Sequence, residues 1–472
     1  MEVSQKVKDE YRANSVTKHV TLQFPELNIS VGTEQIHSES MRLSESLIEK
    51  DSMEFVGCIA SKFKIRVNGL KEDIKGKKIT ATISTENTQD EPITLFHGVV
   101  DSAVKQSNKQ IKEIVAYDEL YIKGNIDLSA WYKSLKFPIT LKDLRDSLFG
   151  YIGIEQVETS LPNDDVAISK QYDPNSLQAL AVIKAVCQIN GVMGIINRNN
   201  KFEYRILGGI NEIPYPSTTL FPSSHLFPAN PAVALAAAER VAKDISAETF
   251  SFYKKVEYEE YEVKPIDKVT IRQTENDAGV TYGTGTNNYI IQGNMFTYGL
   301  PTSTLITIAQ RIYDSIGGFS YYPFTSDNNG LPFLECGLDA ANYYMIDYEE
   351  STPDNTEYKQ QSYYILNREL SGIQNLRDSY SAKGEEYQSE FVTDLQTQID
   401  IIKRNTQTDV KQYVEDYTYD KDYLDESFSD FDSRLEELET GGSGFNVESV
   451  EALPVVPDEN TIYLIQGIVV VE

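Results

Sequence analysis

The chain has 472 residues, more than one hydrophobic core organises, which predicts two to four domains. Hydrophobic residues make up 40 % and aromatics 11 %, with 30 Tyr against one Trp, a composition suited to half-buried strands and wet subunit interfaces. Its 72 acidic and 43 basic side chains leave a formal charge of −29, a field that repels phosphate and argues against nucleic acid or anionic membrane as partners of the outer surface.

Residues 1–125 read as a β domain. Phe63, Ile65 and Val67 alternate with Lys64, Arg66 and Asn68, and Ile79, Ala81 and Ile83 alternate with threonines, the period of a sheet with one wet face. Residues 93–105 and 111–120 form the arms of a hairpin around the polar turn Gln106, Ser107, Asn108 and Lys109. Residues 126–245 read as an α+β block. Thr140 and Asp143 make a start like a capping box, with Asp in place of the usual Glu or Gln, for a helix whose Leu141, Leu144 and Leu148 share a face up to Gly150. A second helix begins near Ser176, buries Leu177, Leu180, Ile183, Val186 and Cys187, and stops at Asn190 and Gly191. A strand follows at 202–207, and Asn230 with Pro231 opens a third, alanine-rich helix.

Residues 246–375 return to alternation as a second β-rich domain, interrupted by a helix at 303–316 that Gly317 and Gly318 close. The stretch 376–440 reads as helical and polar. Phe391, Leu395, Ile399 and Ile402 lie 4, 4 and 3 apart, and an interruption falls near Lys421. Leu424, Phe428, Phe431, Leu435 and Leu438 then step by 4, 3, 4 and 3, the stripe of a coiled-coil seam through which copies of the chain associate. Residues 411–439 hold eleven acids and three bases, which predicts a solvated helix face and a salt-sensitive assembly. Gly441, Gly442, Ser443 and Gly444 form a hinge, and the module 441–472 ends in short strands at 462–465 and 468–471.

Local signatures of chemistry are missing from the sequence. Cys58, Cys187 and Cys336 fit no zinc or redox spacing and read as reduced core residues, in keeping with synthesis in a reducing cytosol. The first residues offer no apolar run for secretion, and no stretch nears the ~18 apolar residues needed to span a membrane. His19, His37, His97 and His225 are scattered, without an H-E-x-x-H motif, a C-x-x-C pair or a G-x-S-x-G elbow. Gly283, Thr284 and Gly285 lack the third glycine and following helix of a phosphate loop and read as a hairpin turn. The aromatic cluster from Gly318 to Phe324 reads as a sugar-stacking platform or as the packed start of a strand, and paired carboxylates of a glycosidase stay open among so many acids. No catalytic, cofactor-binding or metal-binding residue is assigned.

Four phrases occur in order: FHGVVDSAVKQSNKQIKEIVAYDELYI at 96–122, TLKDLRDSLFGYIGIEQVETSLPND at 140–164, AVCQINGVMGIINRNNKFEYRIL at 185–207 and LNRELSGIQNLRDSYSAKGEEY at 366–387. Together they resemble the tail hub family of bacteriophages, relatives of baseplate hub proteins and of the structural N-terminal part of tail-associated lysins. The ending VESVEALPVVPDENTIYLIQGIVVVE is similar to terminal segments of tail proteins from phages and prophages of Gram-positive hosts. The resemblance implies an α+β, mostly β fold: two β-barrel-like domains akin to tube protein around the α+β block, then C-terminal helices and a short β segment. It implies a homotrimer at the virion tail tip or baseplate, made in the bacterial host cytoplasm, where three chains adapt a sixfold tube to a threefold tip. The implied partners are the tail tube or distal tail protein, the tape-measure protein, and tip or fibre proteins. Lysin-bearing members continue into an enzyme domain, whereas about 85 residues follow the hub-like body here. The implied role is therefore structural, not enzymatic. Two alternatives are a trimeric receptor-binding tip that recognises host envelope glycan and a cell-wall hydrolase with unmarked carboxylates.

Overall fold

Alternation in the N-terminal sequence becomes a run of antiparallel strands. The computed structural model describes residues 3–205 and 248–393, with breaks at 14, 38, 49–56, 106–109, 170–175, 251–253, 275–276, 318–319, 347–350, 353–354, 356–357 and 385–390, and the strand residues 446–449, 461–465 and 468–470. The chain divides into two units, Met1–Gln398 and Ile399–Glu472. The first opens with a helix that the β reading does not include, α1 (Gln5–Arg12), where the Ser4 hydroxyl caps the Val7 N–H and the buried Val7 and Tyr11 anchor one face. Strands β1 (Lys18–Phe24), β2 (Ile29–Val31), β3 (Arg42–Ser46), β4 (Lys62–Asn68), β5 (Lys78–Thr85), β6 (Ile93–Lys105) and β7 (Ile111–Tyr117) follow. In β4, Phe63, Ile65 and Val67 are fully buried while their neighbours are half-buried or exposed, as the alternation requires. Strands β6 and β7 pair as the expected hairpin. At Gly98 in β6 a Cβ would lie 2.2 Å from the Tyr117 carbonyl oxygen, so the crowded backbone there admits only glycine.

The α+β block begins with α2 (Glu119–Lys123), α3 (Ser129–Ser134) and β8 (Ile139–Thr140). The Thr140 hydroxyl accepts the Asp143 N–H at 3.1 Å and donates to the Asp143 carboxylate at 2.8 Å, which starts α4 (Leu141–Ile152). This helix runs two residues past Gly150 and stops at Gly153, whose φ of 71° supplies the left-handed cap. After β9 (Ala167–Ile168), helix α5 (Ala179–Asn190) is buried along nearly its whole length and ends at Gly191, with φ 62°. Strands β10 (Met193–Ile196) and β11 (Phe202–Arg205) form a small hairpin. The alanine-rich helix expected after Asn230 lies outside the described residues.

The second β block contains β12 (Glu248–Phe250), β13 (Lys255–Tyr258), β14 (Lys268–Arg272), β15 (Val280–Gly283), β16 (Asn288–Gln292), helix α6 (Thr302–Ile316), β17 (Phe324–Asn329), β18 (Ala340–Ile346), β19 (Tyr358–Tyr364), β20 (Asn367–Ser371), β21 (Arg377–Ala382) and β22 (Phe391–Thr393). Strands β21 and β22 correct the helical reading of 376–440 at those positions. In β21, Asp378, Tyr380 and Ala382 are buried while Arg377 and Ser379 are exposed, a period of two hidden because one inward residue is an acid. The seam residues Leu424, Phe428, Phe431, Leu435 and Leu438 lie outside the described residues.

Among the described residues the fold is mostly β with few helices, built on a large antiparallel sheet of eleven strands ordered β13-β17-β21-β20-β3-β4-β7-β6-β5-β1-β2. Its first four strands come from the second β block and the other seven from the first. In the second unit, β23 (Asn446–Ser449) runs parallel to β24 (Thr461–Ile465), which pairs antiparallel with β25 (Ile468–Val470) so that Ile465 faces Ile468. Among the described residues no helix is long and apolar enough to cross a membrane.

Asp118 gives the first unit a pH dependence. Its carboxyl group caps α2 through the Leu120 N–H at 2.9 Å and accepts the Ser61 N–H at 2.6 Å, tying that helix to the start of β4. Burial pushes the carboxyl up from its ordinary 3.8 to about 7, against the lowering effect of those two N–H groups. The folded chain therefore holds a proton that the unfolded chain has lost, so the contribution is complete below about pH 4 and disappears as pH rises through about 7. Relative to Asp118→Asn, the wild type should lose up to about 1.4 kcal/mol of stability per pH unit across that window. Denaturant titrations of both proteins from pH 4.5 to 8 measure it, and a difference that stays flat with pH contradicts this assignment.

Candidate functional site: the seam between the β blocks

The two β blocks meet where β3 pairs with β20, with Leu43 opposite Leu370, Glu45 opposite Arg368 and Ser46 opposite Asn367. Leu43 and Leu370 are fully buried, and each contributes about 2–3 kcal/mol by leaving water. Beside them Arg368 is 2 % exposed, and its donors are met. Nε and Nη2 donate to Asp378 Oδ1 at 3.0 and 2.9 Å, Nη2 also to the Leu331 carbonyl at 2.9 Å, and Nη1 to the Leu334 carbonyl. The other Asp378 oxygen accepts the Leu331 N–H at 2.8 Å and the Tyr380 hydroxyl at 2.6 Å. Burial works against the charge on Arg368, but Asp378, Tyr380 and Glu45 outweigh it and raise the pKa.

Glu45 extends this chain of charges into the rest of the unit. It stands 3.7 Å from Arg368 Nη1 and accepts Arg198 Nη2 at 2.8 Å, while Arg198 also donates to the Leu95 carbonyl in β6. Arg198 sits between β10 and β11, so one line of ions, Asp378–Arg368–Glu45–Arg198, joins both β blocks and the α+β block. A second clamp closes the β20–β21 turn. The Glu39 carboxylate accepts the N–H groups of Ile373 and Gln374 at 3.1 Å and of Asn375 at 3.4 Å, bonds that hold Glu39 at a φ of 54°. The Gln374 side chain accepts the Lys18 N–H at 3.1 Å and donates to its carbonyl at 2.7 Å.

An open groove of about 450 Å³ crosses the seam, walled by hydroxyl and charged groups including Ser44, Ser46, Lys255, Thr325, Asp327 and Glu369. A smaller cavity of about 20 Å³ borders Arg205, a size that holds one water. Arg205 is fully buried, with Nε 3.4 Å from Glu203 and Nη2 4.0 Å from Glu335. Burial pushes the Glu335 carboxyl up, yet Arg205 and Arg198 hold it below its ordinary value. Among the described residues no group of three His, Cys, Asp or Glu side chains is gathered around a metal position. The line Asp378–Arg368–Glu45–Arg198 is an arrangement of mutually satisfied charges, suited to fixing backbone in place, whereas the buried Arg205 nitrogens have no hydrogen-bond partner among the described residues.

Other residues singled out in the sequence fall elsewhere. His97 Nδ1 lies 3.0 Å from the Thr80 hydroxyl on the sheet. Tyr321 is buried and donates to the Lys383 carbonyl at 2.7 Å, and Phe324 stacks on Tyr363 at 4.5 Å, so these members of the aromatic cluster are packed. The hairpin expected at Gly283, Thr284 and Gly285 is corrected: β15 and β16 flank opposite edges of β14, and the loop crosses the end of that strand. The glycines are required because a Cβ on Gly285 would lie 2.4 Å from the Asp267 Cβ, at a φ of 146°. The Asp267 carboxylate accepts the Thr286 and Asn287 N–H groups at 3.2 and 3.1 Å, filling the place where a phosphate would bind. The Arg368 ion pair escaped the sequence reading. Its signal was an arginine two residues from Leu366 and from Leu370, on the strand face that both leucines bury.

No family model and no curated protein matches the chain. Among solved structures it is similar to the 43 kDa tail protein of prophage MuSo2 from Shewanella oneidensis, at 10 % identity and a TM-score of 0.47 over 78 % of this chain and 98 % of that one. It is also similar to a tail protein from Neisseria meningitidis MC58, at 10 % identity and 0.44 over 79 % and 98 %. A third is prophage tail protein gp18 from Listeria monocytogenes EGD-e, at 11 % identity and 0.42 over 78 % and 95 %.

Removing one member of the seam tests its weight. Arg368→Ala leaves Asp378 buried without its cation and should cost about 3–5 kcal/mol in chemical denaturation, whereas Arg368→Met combined with Asp378→Asn should recover part of that loss. A cost under about 1 kcal/mol for the single variant would contradict the role given to the pair.

Proposed function

We propose that this chain is a structural part of a phage tail: a homotrimeric hub at the distal end of the tail tube that adapts a sixfold tube to a threefold tip and anchors tip or baseplate proteins. The carrying observation is where the four hub-like phrases fall. They are the β6–β7 hairpin with α2, helix α4, the α5–β10–β11 run and the β20–β21 hairpin. These elements supply Asp118, Arg198, Arg368 and Asp378, the residues that tie the blocks of the first unit together. Two β blocks in one continuous sheet give each chain a stiff double module, and three such chains present six modules around an axis.

Charge supports the same reading. A tube that passes DNA must not hold phosphate, and a chain of net charge −29 repels it. On this reading the sequence stripe Leu424, Phe428, Phe431, Leu435 and Leu438 is the seam of a threefold helical collar. A role in assembly, not in catalysis, accounts for these features together.

Native mass measurement of the full chain should give three copies per particle. Leu435→Asp with Leu438→Asp, which places charge in the seam at a cost of several kcal/mol, should reduce it to single chains. Wild-type association in that variant would mean that the stripe packs on the subunit's own body. Clearing of host cell wall by the isolated chain would replace this reading with a hydrolase, and blocked phage adsorption would replace it with a receptor-binding tip.

A further inference from the structure

Two cysteines that the sequence separates by 129 residues meet in the interior, with Cys58 Sγ 3.5 Å from Cys187 Sγ. Cys58 lies between β3 and β4, and Cys187 sits in the last turn of α5, so the pair spans the first β block and the α+β block. The approach is fixed on both sides. Cys58 forms a parallel bridge with Gly194 in β10, and the Gly194 N–H donates to the Gly57 carbonyl at 3.0 Å. On the other side the Val192 N–H donates to the Cys187 carbonyl at 3.0 Å, which locks the end of α5 to the same strand. A Cβ on Gly194 would lie 2.9 Å from Cys58 Sγ, so the absence of a side chain there is what admits the thiol. Cys336 is also buried, but its Sγ faces the Glu45 carbonyl at 3.7 Å.

We propose that Cys58 and Cys187 are a dithiol that closes to a disulfide when the protein meets an oxidising disulfide such as oxidised glutathione, covalently tying the first β block to α5. Closure to the ~2.05 Å of an S–S bond needs the sulfurs to approach by about 1.5 Å. The chemistry balances without another reactant. The thiolate of Cys58 attacks the glutathione disulfide, breaking its S–S bond and expelling one glutathione thiolate. The thiolate of Cys187 then attacks the Cys58 sulfur, expelling the second. The two protein thiols are oxidised, one small disulfide is reduced to two thiols, and the two protons pass through solvent to the departing thiolates. Burial holds the Cys187 thiol well above its ordinary pKa, so exchange is slow at neutral pH and fastens the fold over hours. The loop that closes is long, and a cross-link of that kind acts mainly by restricting the unfolded chain.

The test uses the full chain, incubated with reduced or with oxidised glutathione, then unfolded in guanidinium and alkylated with iodoacetamide. The reduced sample should carry three alkylated cysteines. The oxidised sample should carry one, at Cys336, with a single peptide containing Cys58 joined to Cys187 and a thermal midpoint several degrees higher. In Cys58→Ser and in Cys187→Ala, oxidation should leave the midpoint unmoved, and the remaining partner cysteine should stay alkylatable or carry glutathione. Three alkylated cysteines after prolonged oxidation would overturn the proposal, as would glutathione retained on Cys58 in the wild type. A joined peptide without a rise in midpoint would overturn the tethering role.

Discussion

A buried guanidinium fixes how the two β blocks share one sheet. Main-chain hydrogen bonds between β3 and β20 tolerate any register, but side chains do not, because a slip of one residue turns every inward group outward. Such a slip would carry Arg368 away from Asp378 and expose Leu370, while drawing Asn367 and Glu369 into the apolar interior. An apolar residue at position 368 would gain as much from burial and discriminate less between registers. The ion pair is costly to bury, and its geometric demand is what specifies the joint. Glu39 and Gln374 then hold the turn beyond β20, and Arg198 carries the same line of charge to the β10–β11 loop.

The parts of the fold legible in the sequence were those governed by neighbours in the chain. The β6–β7 hairpin, the Thr140 cap of α4 and the stop of α5 at Gly191 follow from local periodicity and from backbone positions that only certain residues tolerate. Gly150 misled because glycine suits a helix end but is also accepted inside α4, where the left-handed turn waits for Gly153. Strand β21 misled for a different reason. Its inward positions hold Asp378, Tyr380 and Ala382, and an acid reads as exposed until its partner, ten residues earlier, is known to be buried beside it. The seam and the cysteine pair were illegible for one shared cause: each joins residues that only the folded chain brings together.

These features bear on the mechanical role proposed for the chain. A sheet continuous through both β blocks passes load along main-chain hydrogen bonds and interlocked ions, without relying on a hinge between domains. The acidity that repels phosphate also disfavours close packing of copies, so in the proposed collar the apolar contacts would have to outweigh that repulsion. The buried charges of Arg368 and Asp378 have their partners built in, while Asp118 avoids the cost by remaining neutral in the fold up to about pH 7.

Reconstruction by electron microscopy of the proposed tail particle would decide where the chain sits and in how many copies. Three copies should stand at the distal end of the tail tube, each contributing its two β blocks to one ring, with the β3–β20 joint intact in every copy. A single copy, a position away from the tail, or β blocks parted at that joint would contradict the proposed hub.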